Sequence, residues 1–177
     1  MCLQISYNAK ITSQEKDNNQ SFCIPAPSGA GIYYRSKEVK MMILVVCIEE
    51  RRGMLFHGRR LSKDRVVRQD LLRQAEHTQL WLNAYTAKQF DCIENSKIRV
   101  SEDCLQEAGT GEYCFVENQE IDSVMPKAEG MILYHWNRRY PADRYLPVLP
   151  DTWKLILQAE FGGHSHEKIT KEIYQNA

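Results

Sequence analysis

The spacing of apolar residues changes along the chain, and each spacing predicts a different element. Residues 43–48 (ILVVCI) are apolar without interruption, which is typical of a strand buried on both faces of a largely parallel sheet. Residues 64–76 instead repeat their apolar positions at helical spacing, with Ser62 or Asp64 available to cap the start. This part of the chain therefore predicts a buried strand followed by an amphipathic helix.

Further apolar runs alternate with polar, turn-forming stretches. Strands are predicted at residues 79–82, 97–100, 113–116, 130–136 and 153–161, and helical turns at 85–90 and 121–125, the second ended by Pro126. Residues 165–175 allow two interpretations: Ile169 and Ile173 behind Ser165 favour a helix, whereas the neighbouring segments favour a closing edge strand. The alternation of strands and helices predicts an α/β domain with three layers.

The first 40 residues follow neither pattern. They contain the polar run SQEKDNNQS and the proline- and glycine-rich run IPAPSGAG, which predict disorder. A second interpretation is that they are not native, because codons for residues 37–39 can spell a bacterial ribosome-binding sequence just before Met41 and Met42. On either interpretation the folded domain covers residues 41–177, and the second implies a bacterial protein.

Charge and composition narrow the classes of partner. The chain has 23 basic and 23 acidic side chains, so we expect no nucleic-acid partner on the ground of overall charge. The longest apolar run, residues 41–48, is far shorter than the roughly 20 residues that span a bilayer, so we expect no membrane partner. The six cysteines contain no Cys-x-x-Cys pair, which indicates reduced thiols and a cytoplasmic location.

The order of the segments resembles that of dihydrofolate reductase. MMILVVCIEERRGM, a loop, DRVVRQDLLRQA and QLWLNAYTAKQF follow that family's order of strand, flexible loop, helix and strand. SVMPKAEGMILYHW and ADRYLPVLPDTWKLI are similar to its short helix, Pro-x-Ala connection and long strand, and to its Asp-x-x-Phe-Pro and Asp-x-Trp segments. The resemblance covers about residues 41–175 and implies a three-layer dihydrofolate reductase-like domain with a central mixed, mostly parallel sheet.

On the substrate side, most residues that carry the family's chemistry are replaced. Arg60, Leu61 and Ser62 stand where the family has Leu-Pro-Trp. Counting without gaps places Val67 at the family's buried carboxylate, and a valine cannot relay a proton. Asp64, three residues earlier, is the one catalytic candidate that the resemblance leaves.

The cofactor side departs from the family as well. Asn83, Ala84, Tyr85 and Thr86 replace the family's Gly-Arg-x-Thr, so that only the threonine remains. The dipeptide at residues 117–118 (Glu-Asn) replaces a Gly-Gly, and its side chains would block the approach of a nicotinamide cofactor. We therefore predict no cofactor, and NADPH is disfavoured.

A basic cluster in RRGMLFHGRRLSKDR follows the first strand. It is either a solvated loop or an anion site, because arginine forks fit phosphate and carboxylate groups. The predicted ligand-binding residues are Arg59, Arg60, Asp64, Asn83, Tyr85, Thr86 and Asn118. Together they would suit a small anionic molecule, of which a phosphorylated compound is one kind.

Metal and nucleophile chemistry have weaker support. His164, His166 and Glu167 are possible zinc ligands, and HSHE is superficially similar to the His-x-His-x-Asp-His of metallo-β-lactamase nucleases, including ribonuclease Z. The segment lacks the following Asp-His, and the chain is short for that fold, so we expect no metal. Serine and cysteine nucleophiles are set aside because no Gly-x-Ser-x-Gly turn occurs.

Three functions therefore stay open. The first is a binding protein that has lost reductase chemistry, and this is the one we expect. The second is an enzyme of altered chemistry, either a divergent NADPH reductase or a metal-dependent hydrolase. The third is a protein-interaction module with its cleft filled by Phe56 and Tyr85, which a closed cleft beside an exposed apolar patch would favour.

Overall fold

The computed structural model describes residues 8–10, 41–91, 93 and 95–176. Within those residues the strands are β1 (Asn8–Lys10), β2 (Met41–Ile48), β3 (Gly53–Phe56), β4 (Arg59–Arg60), β5 (Leu80–Leu82), β6 (Ile98–Val100), β7 (Tyr113–Phe115), β8 (Ala128–His135), β9 (Arg144–Tyr145), β10 (Trp153–Phe161) and β11 (Ile169–Asn176). The helices are α1 (Arg65–Gln74), α2 (Ala84–Ala87) and α3 (Cys104–Glu107), with a 3-10 turn at Met125–Lys127.

Eight strands form one mixed sheet in the order β1-β10-β11-β8-β2-β7-β5-β6. The strand β2 pairs in parallel with both β7 and β8, and β5 pairs in parallel with β6 and β7, whereas β11 runs antiparallel between β8 and β10. A separate three-stranded sheet has the order β4-β3-β9. The chain runs from β2 to β5 on one side of β2, and the later connection from β7 to β8 crosses to its other side. The carboxyl end of β2 is therefore a switch point, where ligands of open α/β sheets bind.

Two apolar cores cover the faces of the sheet. Leu44 and Val46 of β2 lie in one core, and Val45 between them lies in the other. The helix α1 contributes Val67 and Leu71 to the second core. Burial on both faces is the physical reason for the uninterrupted apolar run in β2, and one buried stripe is the reason for the helical spacing in α1.

The structure corrects two expectations about secondary structure. The ambiguous last segment is the strand β11, and it is interior between β8 and β10 rather than a closing edge strand. The four-residue spacing of Ile169 and Ile173 allowed a helix, but in β11 the intervening Lys171 and Glu172 are paired with Asp70 and His135. The residues around Pro126 form a 3-10 turn that contains the proline, because the missing N–H is tolerated in a first turn.

Of residues 1–40 the structure describes 8–10, which pair antiparallel with β10. The rest of the segment for which disorder or a non-native origin was predicted lies outside the described residues, so the boundary at residue 41 stays a prediction. None of the described helices is both long enough and apolar enough to cross a membrane.

Candidate functional site at the carboxyl edge of the sheet

The carboxyl ends of β2, β7 and β8 meet the start of α1 at one edge of the sheet. Cys47 near the end of β2, Glu117 beyond β7 and Trp136 beyond β8 face a common space with Ser62 and Asp64. That space is too narrow to admit a water molecule. The cleft at the switch point is therefore filled by the protein's own side chains.

Asp64 is a buried carboxylate at the start of α1. Its Oδ1 accepts hydrogen bonds from the backbone N–H groups of Val66 (2.8 Å) and His164 (2.9 Å), and its Oδ2 accepts from the backbone N–H (2.7 Å) and hydroxyl (2.9 Å) of Ser165. Burial acts to raise the pKa of Asp64, but these donors and the ring of His166 outweigh it and lower the pKa well below its usual value. Asp64 is therefore a fixed anion, which does not suit a proton donor near neutral pH.

Val67 and Asp64, the two positions compared with the buried carboxylate of the resembled family, lie in different surroundings. Val67, where counting without gaps placed that carboxylate, packs in the second core and is 2% exposed. Asp64 is the residue directly before α1 and caps it. The strands β3 and β4 lie between β2 and α1, and the correspondence of Val67 with the family's carboxylate stays a prediction.

His166 links Asp64 to Ser62. Its Nδ1 lies 3.2 Å from Asp64 Oδ2, and its Nε2 lies 3.1 Å from Ser62 Oγ and 3.3 Å from the Tyr140 hydroxyl. The ring stacks on Trp136, with 4.6 Å between ring centroids and 20° between planes. Because ionised Asp64 accepts a hydrogen bond from Nδ1–H, the Nε2 of the neutral ring is left to accept from a hydroxyl.

Beside this network is an open pocket of about 420 Å³. We call it the His166 pocket; it is lined by Trp136, Asn137, Arg138, Ser165, His166, Glu167 and Lys168. Lys168 forms an ion pair with Glu160 at 3.0 Å, and in the described part of the chain no ion pair involves Arg138. Arg138 is thus the cationic side chain of this pocket that is left to bind an anionic group.

On the other side of the edge, the predicted anion site at Arg60 is neutralised internally. Arg60 Nη1 lies 3.3 Å from Glu117 Oε2, Nη2 donates to the Tyr85 carbonyl at 2.7 Å, and the guanidinium carbon lies 4.5 Å from the centroid of the Tyr85 ring. Burial raises the pKa of Glu117 to about 7, against the charge of Arg60 and the side chains of Gln89 and Thr86, which act to lower it. The guanidinium of Arg60 is thus engaged by the protein itself.

The remaining predicted ligand-binding residues have structural contacts. Asn83 caps α2: its Oδ1 accepts from the Thr86 N–H at 3.0 Å, and its Nδ2 donates to Asn118 Oδ1 at 2.7 Å. Thr86 is buried, whereas Arg59 is exposed on β4. The fold thus places Asn83, Tyr85, Thr86 and Asn118 around the Arg60–Glu117 pair, with Arg59 pointing to solvent.

Both histidines of HSHE contact Asp64. The backbone N–H of His164 and the ring of His166 both contact its carboxylate. Among residues 41–91, 93 and 95–176 no group of three histidine, cysteine, aspartate or glutamate side chains is positioned to hold a metal ion.

Sequence reasoning missed the grouping of Ser62 with His166. The two residues are 104 positions apart, and no local motif joins them. The signal that could have found them is topological, because the start of α1 and the connection between β10 and β11 lie at the same edge of the sheet.

Comparison with known proteins identifies the fold. No family model matches the chain, and no curated protein matches it. Among solved structures, it is similar to dihydrofolate reductase from Enterococcus faecalis, solved in complex with NADP(H) and RAB-propyl. The TM-score is 0.55 and the identity 10%, over 76% of this chain and 95% of that chain. The chain therefore has a dihydrofolate reductase-like fold, an α/β domain with a mixed, mostly parallel sheet.

Proposed function

We propose that the protein binds a small anionic molecule in the His166 pocket, on a dihydrofolate reductase-like scaffold without reductase chemistry. The observation that carries the proposal is the open pocket of about 420 Å³ with Arg138 and Lys168 in its wall. This volume lies within the roughly 300–1,000 Å³ typical of small-molecule sites.

The charges at the edge of the sheet favour this pocket over the one expected around Arg60. Arg60 is paired with Glu117, whereas Arg138 is exposed in a loop whose backbone is held in place. In that loop the Arg138 carbonyl accepts from the Glu50 backbone N–H at 3.3 Å, and the Asn137 side-chain amide donates to Thr170 Oγ1 at 2.9 Å. An arginine fork on a fixed loop suits a phosphate or carboxylate group, and a phosphorylated compound is the class that we propose.

The closed cleft supports the loss of reductase chemistry. The space between Cys47, Glu117 and Trp136 does not admit water, so it offers no room for a pterin ring in this arrangement. Glu117, in place of the family's first glycine, is buried and paired rather than open to a cofactor. We propose that NADPH does not bind.

We further propose that the protein works in a bacterial cytoplasm. The ribosome-binding sequence that residues 37–39 can encode supports the bacterial origin. The cysteines Cys47, Cys104 and Cys114 carry free thiols, which supports a reducing compartment.

A protein-interaction module is the second candidate, and one observation favours it. Phe56 of β3 and Tyr145 of β9 lie on adjacent strands of the small sheet and are 41% and 50% exposed, and the nearby Val148 is 80% exposed. Phe56 is thus exposed on the small sheet rather than filling the cleft, as the interaction-module alternative had it. A patch of this kind can bind a partner.

A binding experiment tests the first candidate. The full chain is mixed with inorganic phosphate, pyrophosphate, glycerol phosphate, folate or NADPH, and its thermal unfolding is followed. A ligand at about 100 times its dissociation constant should add about 2.7 kcal/mol, which shifts Tm by several degrees. We expect stabilisation by the phosphate probes.

The matched variants are Arg138→Ala and Arg139→Ala. Arg139 is the neighbouring exposed arginine, and its guanidinium is paired with Glu50 at 2.8 Å. The phosphate response should be lost in the first variant and kept in the second. Equal losses would refute the His166 pocket as the site, stabilisation by NADPH would refute the loss of cofactor binding, and no response to any probe would favour the interaction module.

A further inference from the structure

We propose that Ser62 is a nucleophile activated by His166 and Asp64, and that the protein hydrolyses an ester whose anionic part lies in the His166 pocket. The placement of the anionic part rests on the proposed function. The nucleophile rests on independent geometry.

The three side chains form a continuous chain of contacts. Ser62 Oγ lies 3.1 Å from His166 Nε2, and His166 Nδ1 lies 3.2 Å from Asp64 Oδ2. A nucleophile within hydrogen-bond reach of a base, with that base oriented by a third group, is the arrangement that activates a serine. No strand-to-helix serine turn is needed, because roles and geometry define such a site.

Asp64 meets the requirements of the orienting group. Four hydrogen bonds from Val66, His164 and Ser165 hold the carboxylate ionised and fixed. It can therefore accept a hydrogen bond from Nδ1–H and stabilise the imidazolium that forms when Nε2 takes a proton.

The ring of His166 is held equally firmly. Its side chain is 3% exposed, and one face stacks on Trp136. Two hydroxyls lie near Nε2, and that of Ser62 is closer than that of Tyr140. Ser62 is half-buried just before the start of α1.

The reaction that this arrangement supports is hydrolysis of a carboxylic ester. Ser62 Oγ attacks the carbonyl carbon while its proton passes to His166 Nε2. The bond from the carbonyl carbon to the leaving oxygen then breaks, and the leaving alkoxide takes that proton. A water molecule attacks the acyl-serine, gives a proton to Nε2, and Ser62 recovers it as the acid is released. Ester and water become acid and alcohol.

The placement of His166 between Ser62 and the His166 pocket supports the choice of substrate class. His166 contacts Ser62 and also lines the pocket that contains Arg138 and Lys168. An ester with its carbonyl at Ser62 and a phosphate or carboxylate on its acyl part would use both features.

A covalent probe tests the nucleophile. The full chain is treated with a fluorophosphonate, and the modified residue is mapped by mass spectrometry. We expect one adduct on Ser62, absent in Ser62→Ala and retained in Ser123→Ala, a variant of an exposed serine. Hydrolysis of 4-nitrophenyl acetate should fall at least about 100-fold in Ser62→Ala.

A second variant separates activation from simple exposure. His166→Asn leaves Ser62 in place but removes the base, so the adduct should also be lost, while Tyr140→Phe should keep it. Near-ultraviolet circular dichroism verifies that each variant is folded. Labelling of Ser62 that persists without His166, or labelling of Tyr140 instead, would overturn the proposal.

The two proposals fail in different ways. Loss of phosphate binding in Arg138→Ala together with an unlabelled Ser62 would refute the nucleophile and keep the binding site. A labelled Ser62 in a protein that no phosphate probe stabilises would keep the nucleophile and refute the anionic part of the substrate.

Discussion

The glycine pair at residues 162–163 gives a direct test of how Asp64 is held. A Cβ added to Gly163 would lie 2.6 Å from Asp64 Oδ2 and 2.7 Å from Ile169 Cδ1, closer than van der Waals contact allows. A Cβ added to Gly162 would meet only the Glu167 carbonyl oxygen, at 3.6 Å. Alanine at the two positions is thus the same chemical change with different steric outcomes.

The loss of stability in Gly163→Ala depends on which groups the added methyl would displace. Asp64 can retreat from the new methyl only by loosening its hydrogen bonds from His164 and Ser165, and Ile169 is fully buried. Overpacking of this kind costs about 1–3 kcal/mol. A domain of this size loses about 2–4 °C in Tm for each kcal/mol, so Gly163→Ala should lower Tm by roughly 2–12 °C. Gly162→Ala should stay within about 1 kcal/mol of the parent, with a small gain as the favoured sign.

The assay is thermal unfolding of both variants, followed by circular dichroism, with fluorophosphonate labelling of Ser62 as a second readout. The Gly163 variant should show weaker labelling as well, because a displaced Asp64 no longer orients the His166 ring. Equal Tm values for the two variants would refute the placement of this loop against Asp64, and the argument for a fixed anion would fail with it.

Two further predictions concern buried charges. Glu117 has a pKa of about 7 in the folded state against 4.5 as its ordinary value, so the folded state binds more protons between these pH values and the free energy of unfolding falls as pH rises through them. The difference of about 2.5 in pKa corresponds to about 3 kcal/mol of stability. Urea unfolding at pH 5 and pH 8 should therefore show that Glu117→Gln gains stability relative to the parent at the higher pH. Parallel pH profiles of the two proteins would contradict this. Lys171 Nζ donates to Asp70 Oδ2 at 2.7 Å with both side chains at most 3% exposed, so Lys171→Met should cost about 3–5 kcal/mol in urea unfolding. Asp70→Asn combined with Lys171→Met should recover much of that loss, and an additive double variant would contradict the pairing.

The elements that could be predicted from sequence are those whose pattern is set locally. The strand β2 is buried on both faces and α1 on one, so their apolar spacing predicted them directly. The strand β11 could not be assigned in this way, because Lys171 and Glu172 are polar residues that the fold pairs internally. The spacing of apolar residues therefore predicts an element only where the buried residues are apolar. It fails where a buried charged residue is paired with a residue that is distant in sequence.

The same limit applies to the candidate site. Asn83 and Asp64 are helix caps, a local role, and both lie at the edge of the sheet where they were expected. An anion site was one of two interpretations of the basic cluster around Arg60, because the sequence does not reveal that Glu117, at a different strand end, pairs with Arg60. Serine nucleophiles were set aside for want of a Gly-x-Ser-x-Gly turn, because the sequence does not reveal that His166 lies beside Ser62.

Asp64 and Glu117 are both buried carboxylates at this edge, and their surroundings offset the cost of desolvation in different ways. Asp64 is surrounded by donors, stays ionised and presents a fixed negative charge to His166. Among the described residues Glu117 has one positively charged partner, Arg60, and its raised pKa indicates that the pairing only partly offsets burial. Around Glu117 the charged groups of Arg60 and Glu117 pair with each other, and the cleft there is closed. Around Asp64 the charge orients the His166 ring, whose Nε2 lies near the Ser62 hydroxyl. The open pocket beside it is lined by Arg138, which has no ion pair within the part of the chain that the structure describes. A protein that bound its ligand on the Arg60 side would first have to break the Arg60–Glu117 pair, whereas binding on the His166 side requires no such step.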